Sequence, residues 1–192
     1  MWNEINFKSL AIVGSIRTGK TCLAYDIIRN YDMDKYIYLH PKPKLIEKLG
    51  FKQFYGFAEL ERIKDCILWI DEPQLYLKLQ SGGGQRALQR LLSLCGQRNI
   101  KLILSTSDTR VVVKGIEFYI DVWCVKDLEY KLVKHGSLLK EILKDYCTIT
   151  TDGFRLNVDE YIFYSRNFRK YNGKHTFKKP EYFTEELSRP YY

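Results

Sequence analysis

The stretch Gly14-Ser15-Ile16-Arg17-Thr18-Gly19-Lys20-Thr21 constrains this chain more than any other, because it fits GxxxxGK followed by Ser or Thr. The apolar run Leu10-Ala11-Ile12-Val13 enters it, and Cys22-Leu23-Ala24-Tyr25-Asp26-Ile27-Ile28 leaves it with helical character. Strand, glycine-rich loop and helix in that order make a phosphate cradle. The glycines let the backbone wrap closely enough for its N–H groups to point at phosphate oxygens. Lys20 then reaches the β and γ phosphates, the Thr21 hydroxyl ligates magnesium, and the helix adds its positive N-terminal end. The expected ligands are ATP and Mg2+, held by Gly14, Ser15, Ile16, Arg17, Thr18, Gly19, Lys20, Thr21 and Cys22.

A second segment, Ile67-Leu68-Trp69-Ile70-Asp71-Glu72, is four apolar residues ending in two acids. A parallel strand buried on both faces explains the apolar run, and its C-terminal end opens at the ligand crevice. Asp71 is expected in the magnesium shell. Glu72 is expected to be the general base that polarises an attacking water.

Apolar runs and helical patterns alternate to about residue 125, which predicts an α/β fold with a parallel sheet flanked by helices. Strands are expected at Ser9–Val13, Lys35–Leu39, Cys66–Ile70, Lys101–Ser105 and Phe118–Val125. Helices are expected at Lys20–Tyr31, Pro43–Leu49, Phe57–Lys64 and Gln85–Gln97, the last with Leu88, Leu91, Leu92 and Cys95 on one stripe. Further on, Tyr130–Val133, Thr148–Thr151 and Arg155–Asn157 read as short antiparallel strands, Ser137–Tyr146 as a helix and Asp152-Gly153 as a hairpin turn. The expected organisation is an ATPase core over residues 1–125 and a small antiparallel C-terminal extension over residues 126–192.

Cys22, Cys66, Cys95, Cys124 and Cys147 are scattered through apolar segments without a CxxC pair, which predicts buried free thiols. His40, His135 and His175 lie far apart, so the expected metal is the magnesium that travels with a nucleotide. No apolar run reaches the roughly 18–20 residues of a membrane span. The first ten residues lack a secretory core, so a cytoplasmic protein is expected.

The net charge is +8, and its distribution says more than its total. From Phe163 to Pro180 the chain carries Arg166, Arg169, Lys170, Lys174, Lys178 and Lys179 with no acid, interleaved with Phe163, Tyr164, Phe168, Tyr171 and Phe177. Two readings fit: phosphates on the cations and bases on the rings, or a basic tail whose aromatics pack it onto the domain. On the first, Arg166, Arg169, Lys170 and Lys174 touch DNA. Lys78 and Arg86 would join them, flanking Gly82-Gly83-Gly84, which reads as a mobile loop.

The Asp71-Glu72 pair resembles the P-loop superclass of RecA/ASCE type, which carries a catalytic glutamate on the aspartate strand. That resemblance implies an extra strand, Lys101–Ser105, between the loop strand and the aspartate strand. The segment Ser93-Leu94-Cys95-Gly96-Gln97-Arg98-Asn99-Ile100-Lys101-Leu102-Ile103-Leu104-Ser105-Thr106-Ser107 resembles the FtsK/HerA superfamily, especially the genome-packaging ATPases of double-jelly-roll DNA viruses, including archaeal ones. In that family the strand usually ends in a glutamine sensor. Here Ser107 stands in that place and Asp108 follows.

The resemblance implies a homo-oligomeric ring, typically a hexamer, in which an arginine reaches the next subunit's γ-phosphate. Arg98 is the first candidate and Arg110 the second, with Arg17 able to act in cis. It further implies an ATP-driven double-stranded DNA translocase that packages a viral genome in the host cytoplasm, with capsid or membrane proteins as partners. The loop begins at residue 14, from which no preceding regulatory domain and no following nuclease are expected. A filamentous-phage-type assembly or secretion ATPase and a nucleotide-dependent DNA-binding switch are the alternatives.

Overall fold

The computed structural model describes residues 1–75, 82–107, 119–129, 142–146 and 153–188. Six strands run parallel: β1 (Ser9–Val13), β2 (Asp34–Tyr38), β3 (Phe51–Phe54), β4 (Cys66–Asp71), β5 (Lys101–Thr106) and β6 (Val122–Val125). Between β6 and the next strand of this sheet, β7 (Leu128–Glu129) and β8 (Gly153–Phe154) pair as a separate antiparallel ribbon. Two further antiparallel strands, β9 (Glu160–Tyr164) and β10 (Gly173–Thr176), then extend the main sheet to the order β10-β9-β6-β1-β5-β4-β2-β3. β5 is inserted between β1 and β4, with Val13 beside Thr106 and Asp71 beside Ser105.

Alternation along each central strand builds two cores. Ala11, Val13, Leu68, Ile70, Leu102 and Leu104 face one side, where they meet Leu88, Leu91, Leu92 and Cys95 of helix α3 (Gly82–Gln97). Leu10, Ile12, Ile67, Trp69 and Ile103 face the other, against Leu23, Tyr25, Ile27 and Ile28 of helix α1 (Lys20–Ile28). Both faces of the sheet are covered, which is why the parallel strands read as unbroken apolar runs. Cys22, Cys66, Cys95 and Cys124 are buried free thiols.

Several expectations shift. Gly82, Gly83 and Gly84 form the first turn of α3 instead of a loop. The segment after Gly56 makes a five-residue 3-10 turn, Phe57–Glu61, in place of a helix reaching Lys64. β6 covers Val122–Val125; just before it the Asp121 carboxylate accepts from the Lys8 amide (2.7 Å) and the Ser9 amide (3.3 Å), and Phe118, the expected start of the strand, lies outside the described residues. Residues 155–157 form no strand. Their amides go to side chains instead, Leu156 N to Asp127 Oδ1 and Asn157 N to Glu160 Oε2. β3 is a strand that the apolar pattern does not mark, because Lys52 and Gln53 interrupt it. β9 and β10 add to the expected strands: β9 is placed by pairing with β6 across more than thirty residues, and β10 pairs with β9. The expected strands Tyr130–Val133 and Thr148–Thr151, and the first half of the helix Ser137–Tyr146, lie outside the described residues.

Candidate nucleotide site

The loop of residues 14–21 crosses from β1 to α1 at the C-terminal edge of the parallel strands. Its two flanks pin it. The Gly14 amide donates to the Thr106 carbonyl on the β5 side (3.2 Å), and the Ser15 amide to the Asp127 carbonyl on the β6 side (2.6 Å). Gly14 is required by crowding, since a Cβ there would stand 2.6 Å from Lys126 Cβ and 2.8 Å from Thr18 Oγ1. Gly19 is required by conformation, because its φ of 85° places it in the left-handed region just before α1.

Lys20 is buried; its ammonium donates to the Ser15 carbonyl (3.0 Å) and lies 3.6 Å from Glu72 Oε1. Burial pushes its pKa down, and the charges of Glu72 and Asp71 oppose that shift. Thr21 Oγ1 lies 3.5 Å from Asp71 Oδ2. The other oxygen of Asp71 accepts from Ser105 Oγ, which in turn accepts from the Trp69 indole (2.8 Å). Burial pushes the Asp71 carboxyl up to about 6, a cost that an adjacent cation would remove. Two hard oxygens so close, one of them anionic and braced from behind, fit a magnesium ion.

Glu72 ends the strand with φ at 47°, unusual for a residue with a side chain, and its amide is held by the Ser105 carbonyl at 2.7 Å. Its Oε2 accepts from the Ser107 amide (3.0 Å), from Ser107 Oγ (3.1 Å) and from the Gln74 side-chain amide. Gln74 Oε1 accepts from Thr106 Oγ1 at 2.9 Å. Lys20, Thr21, Asp71, Glu72 and Ser107 therefore converge at one edge, joined by Ser105, Thr106 and Gln74. Sequence reading missed Gln74; the available signal was Pro73, which starts the 3-10 turn Pro73–Leu75 and so turns residue 74 back across the strand end.

Other candidates lie elsewhere. Ile16 and Arg17 are exposed on the loop, and Cys22 is buried in α1 with its thiol pushed up to about 11 by burial. Arg98 sits before β5, at the opposite edge of the sheet, where its guanidinium donates to the carbonyls of Glu61 (2.5 Å) and Ile63 (2.8 Å). Arg86 is exposed on α3. Arg166, Arg169 and Lys170 occupy the turn between β9 and β10, also at the edge away from the loop, and Lys170 pairs with Glu4 at 3.5 Å. Lys174 on β10 pairs with Glu160 at 2.7 Å. Phe163 and Phe177 are buried, and Phe168 and Tyr171 pack against the α1-side core. Arg110 and Lys78 lie outside the described residues.

The inserted β5, the phosphate loop and the Asp71-Glu72 strand end define the α/β fold of P-loop ATPases. Among solved structures, the chain resembles B204, the DNA-packaging ATPase of Sulfolobus turreted icosahedral virus, with TM-score 0.64 and 15% identity over 92% of this chain and 100% of that one. It also resembles the genome-packaging NTPase B204 of Sulfolobus turreted icosahedral virus 2 in complex with ATP-gammaS, with TM-score 0.57 and 14% identity over 89% of this chain and 97% of that one. A third similarity is to EccC (ATPases 2 and 3) of Thermomonospora curvata, with TM-score 0.50 and 13% identity over 93% of this chain and 37% of that one. No protein-family model and no curated protein matches the sequence.

Proposed function

We propose that this chain is an ATP-hydrolysing motor that translocates double-stranded DNA, most concretely to package a viral genome. The observation that carries the reading is the meeting of Lys20, the Thr21–Asp71 oxygen pair and Glu72 at one strand edge. Thr21 and Asp71 would hold magnesium, which when bound neutralises charge on the phosphate oxygens. Lys20 exchanges Glu72 and the Ser15 carbonyl for phosphate oxygens, and Glu72 then takes the proton of the attacking water.

The likeness to two packaging ATPases supports DNA as the moved substrate, as does the net charge of +8. On this reading residues 1–125 carry the chemistry and residues 126–192 are an extension joined to the same sheet. The working unit is a homo-oligomeric ring in the host cytoplasm that meets the capsid. Arg98 acts as the trans finger only by leaving two backbone carbonyls; Arg110 is the second candidate for that role, and Arg17, on the loop itself, is the candidate for one in cis.

The test is ATP turnover with and without double-stranded DNA, beside sizing with nucleotide bound. Stimulation by DNA and a nucleotide-dependent ring are expected; full turnover by Glu72→Gln would sink the hydrolytic mechanism. A secretion or assembly ATPase is the second reading, supported by the likeness to EccC. No helix among the described residues is long and apolar enough to cross a membrane. Turnover indifferent to DNA, with the protein in the membrane pellet, would favour this second reading. Slow turnover without a ring would favour a nucleotide-dependent DNA switch.

A further inference from the structure

We infer that Gln74 is the positioning residue for Glu72, its amide bridging the end of β5 to the carboxylate; this rests on the hydrolytic reading above. The Thr106 carbonyl holds the Gly14 amide of the phosphate loop, and the Thr106 hydroxyl donates to Gln74 Oε1 at 2.9 Å. The Gln74 NH2 group donates to Glu72 Oε2. One short chain of groups thus runs from the phosphate loop through β5 to the carboxylate.

The three donors on Oε2, Gln74 Nε2 and the Ser107 amide and hydroxyl, commit that oxygen and stop the carboxylate from rotating. Oε1 is left facing Lys20 at 3.6 Å. When Lys20 turns to phosphate, Oε1 is the oxygen that meets the water, already aimed. A carboxylate free to rotate would spend most of its time misdirected, and fixing it raises the rate without changing how tightly nucleotide binds. Only the amide of glutamine both accepts from Thr106 and donates to Glu72 here; leucine does neither, and glutamate accepts from Thr106 but repels Glu72.

The experiment measures kcat, KM and the affinity for a fluorescent ATP analogue in Gln74→Leu, Gln74→Glu, Thr106→Val and the Gln74→Leu/Thr106→Val double variant. Each Gln74 variant is expected to lose kcat by on the order of 10- to 100-fold while nucleotide affinity stays within about threefold. The double variant is expected to lose no more than Gln74→Leu alone, because the two residues act as one unit. Gln74→Glu keeps the shape of the side chain, so its loss reports the donor exchanged for a like charge and not a packing defect. Wild-type kcat in Gln74→Leu, or affinity falling in step with kcat, overturns the inference. Glu72→Gln run alongside separates the levels. If it is inactive while Gln74→Leu is fully active, this inference alone fails; if it turns over normally, the hydrolytic reading fails and this inference with it.

Discussion

Two buried lysines stand on either side of the phosphate loop, and they are neutralised in different ways. Lys20 is balanced by the side-chain carboxylates of Glu72 and Asp71. Lys126, at the end of β6, donates to the Val158 carbonyl at 2.6 Å and to the Glu160 carbonyl, and lies 4.7 Å from the Phe177 ring centroid. Burial pushes Lys126 down to about 8, more than the neighbouring Asp127 and Asp159 can offset. A cation paired with side chains can be handed to a phosphate at little cost. One caged by backbone carbonyls and a ring cannot leave without stranding them. The β4–β5 flank is therefore the flank of chemistry, and the β6–β9 flank is a brace that holds residues 158–160 against the loop.

Lys20→Met breaks the comparison most directly. It should lower kcat/KM by on the order of 10³-fold or more, as expected when the main charge on the transferred phosphoryl is lost. Steady-state turnover checks it. Ser105→Ala sharpens the role of the chemical flank. Asp71 loses its brace and Trp69 its acceptor, so the magnesium needed for half-maximal turnover should rise by about 10-fold or more. A magnesium titration reads this directly, and an unchanged midpoint would remove Ser105 from the site.

Lys126→Met addresses the brace. Two carbonyls lose their donor, and denaturant unfolding at pH 7 should show a loss of roughly 1–3 kcal/mol. The pH dependence has a definite sign. With the folded pKa near 8 against an ordinary 10.5, the unfolded chain binds more protons through that window. Wild-type stability from this group therefore rises as the pH climbs from about 8 toward 10.5. The gap between wild type and Lys126→Met should widen accordingly, while the buried tyrosines affect both proteins alike. A gap that stays constant would mean that Lys126 remains charged in its cage.

The smallest effect is expected far from both flanks. Replacing Arg166 and Arg169 by alanine should reduce the salt slope of DNA binding by about 2 without altering basal turnover. An unchanged slope would place the DNA contact elsewhere.

Much of the nucleotide site was legible in the chain because its pieces are contiguous. Residues 14–21 and Asp71-Glu72 each carry their own strand, turn and spacing, and the alternation of strands and helices follows from local patterning. The place of β5 between β1 and β4 came from family resemblance. Residues 163–180 were ambiguous because charge and aromaticity were visible but pairing was not. The buried Phe163 owes its place to a ladder between β6 and β9, whose partners are about forty residues apart, and Phe177 is held just past β10 by its amide on the Asp159 carbonyl.

What the sequence alone determined about this protein is a phosphate loop, an acidic strand end and an α/β order. These depend on neighbours along the chain. Tertiary structure decided which groups complete the site. Gln74 meets Thr106 only because β4 and β5 end side by side. Arg98 is turned away because its carbonyl partners lie at the opposite edge. Lys126 is caged because β9 returns antiparallel beside β6. A hydrogen bond senses distance in space, and only folding sets that distance for residues far apart in the chain.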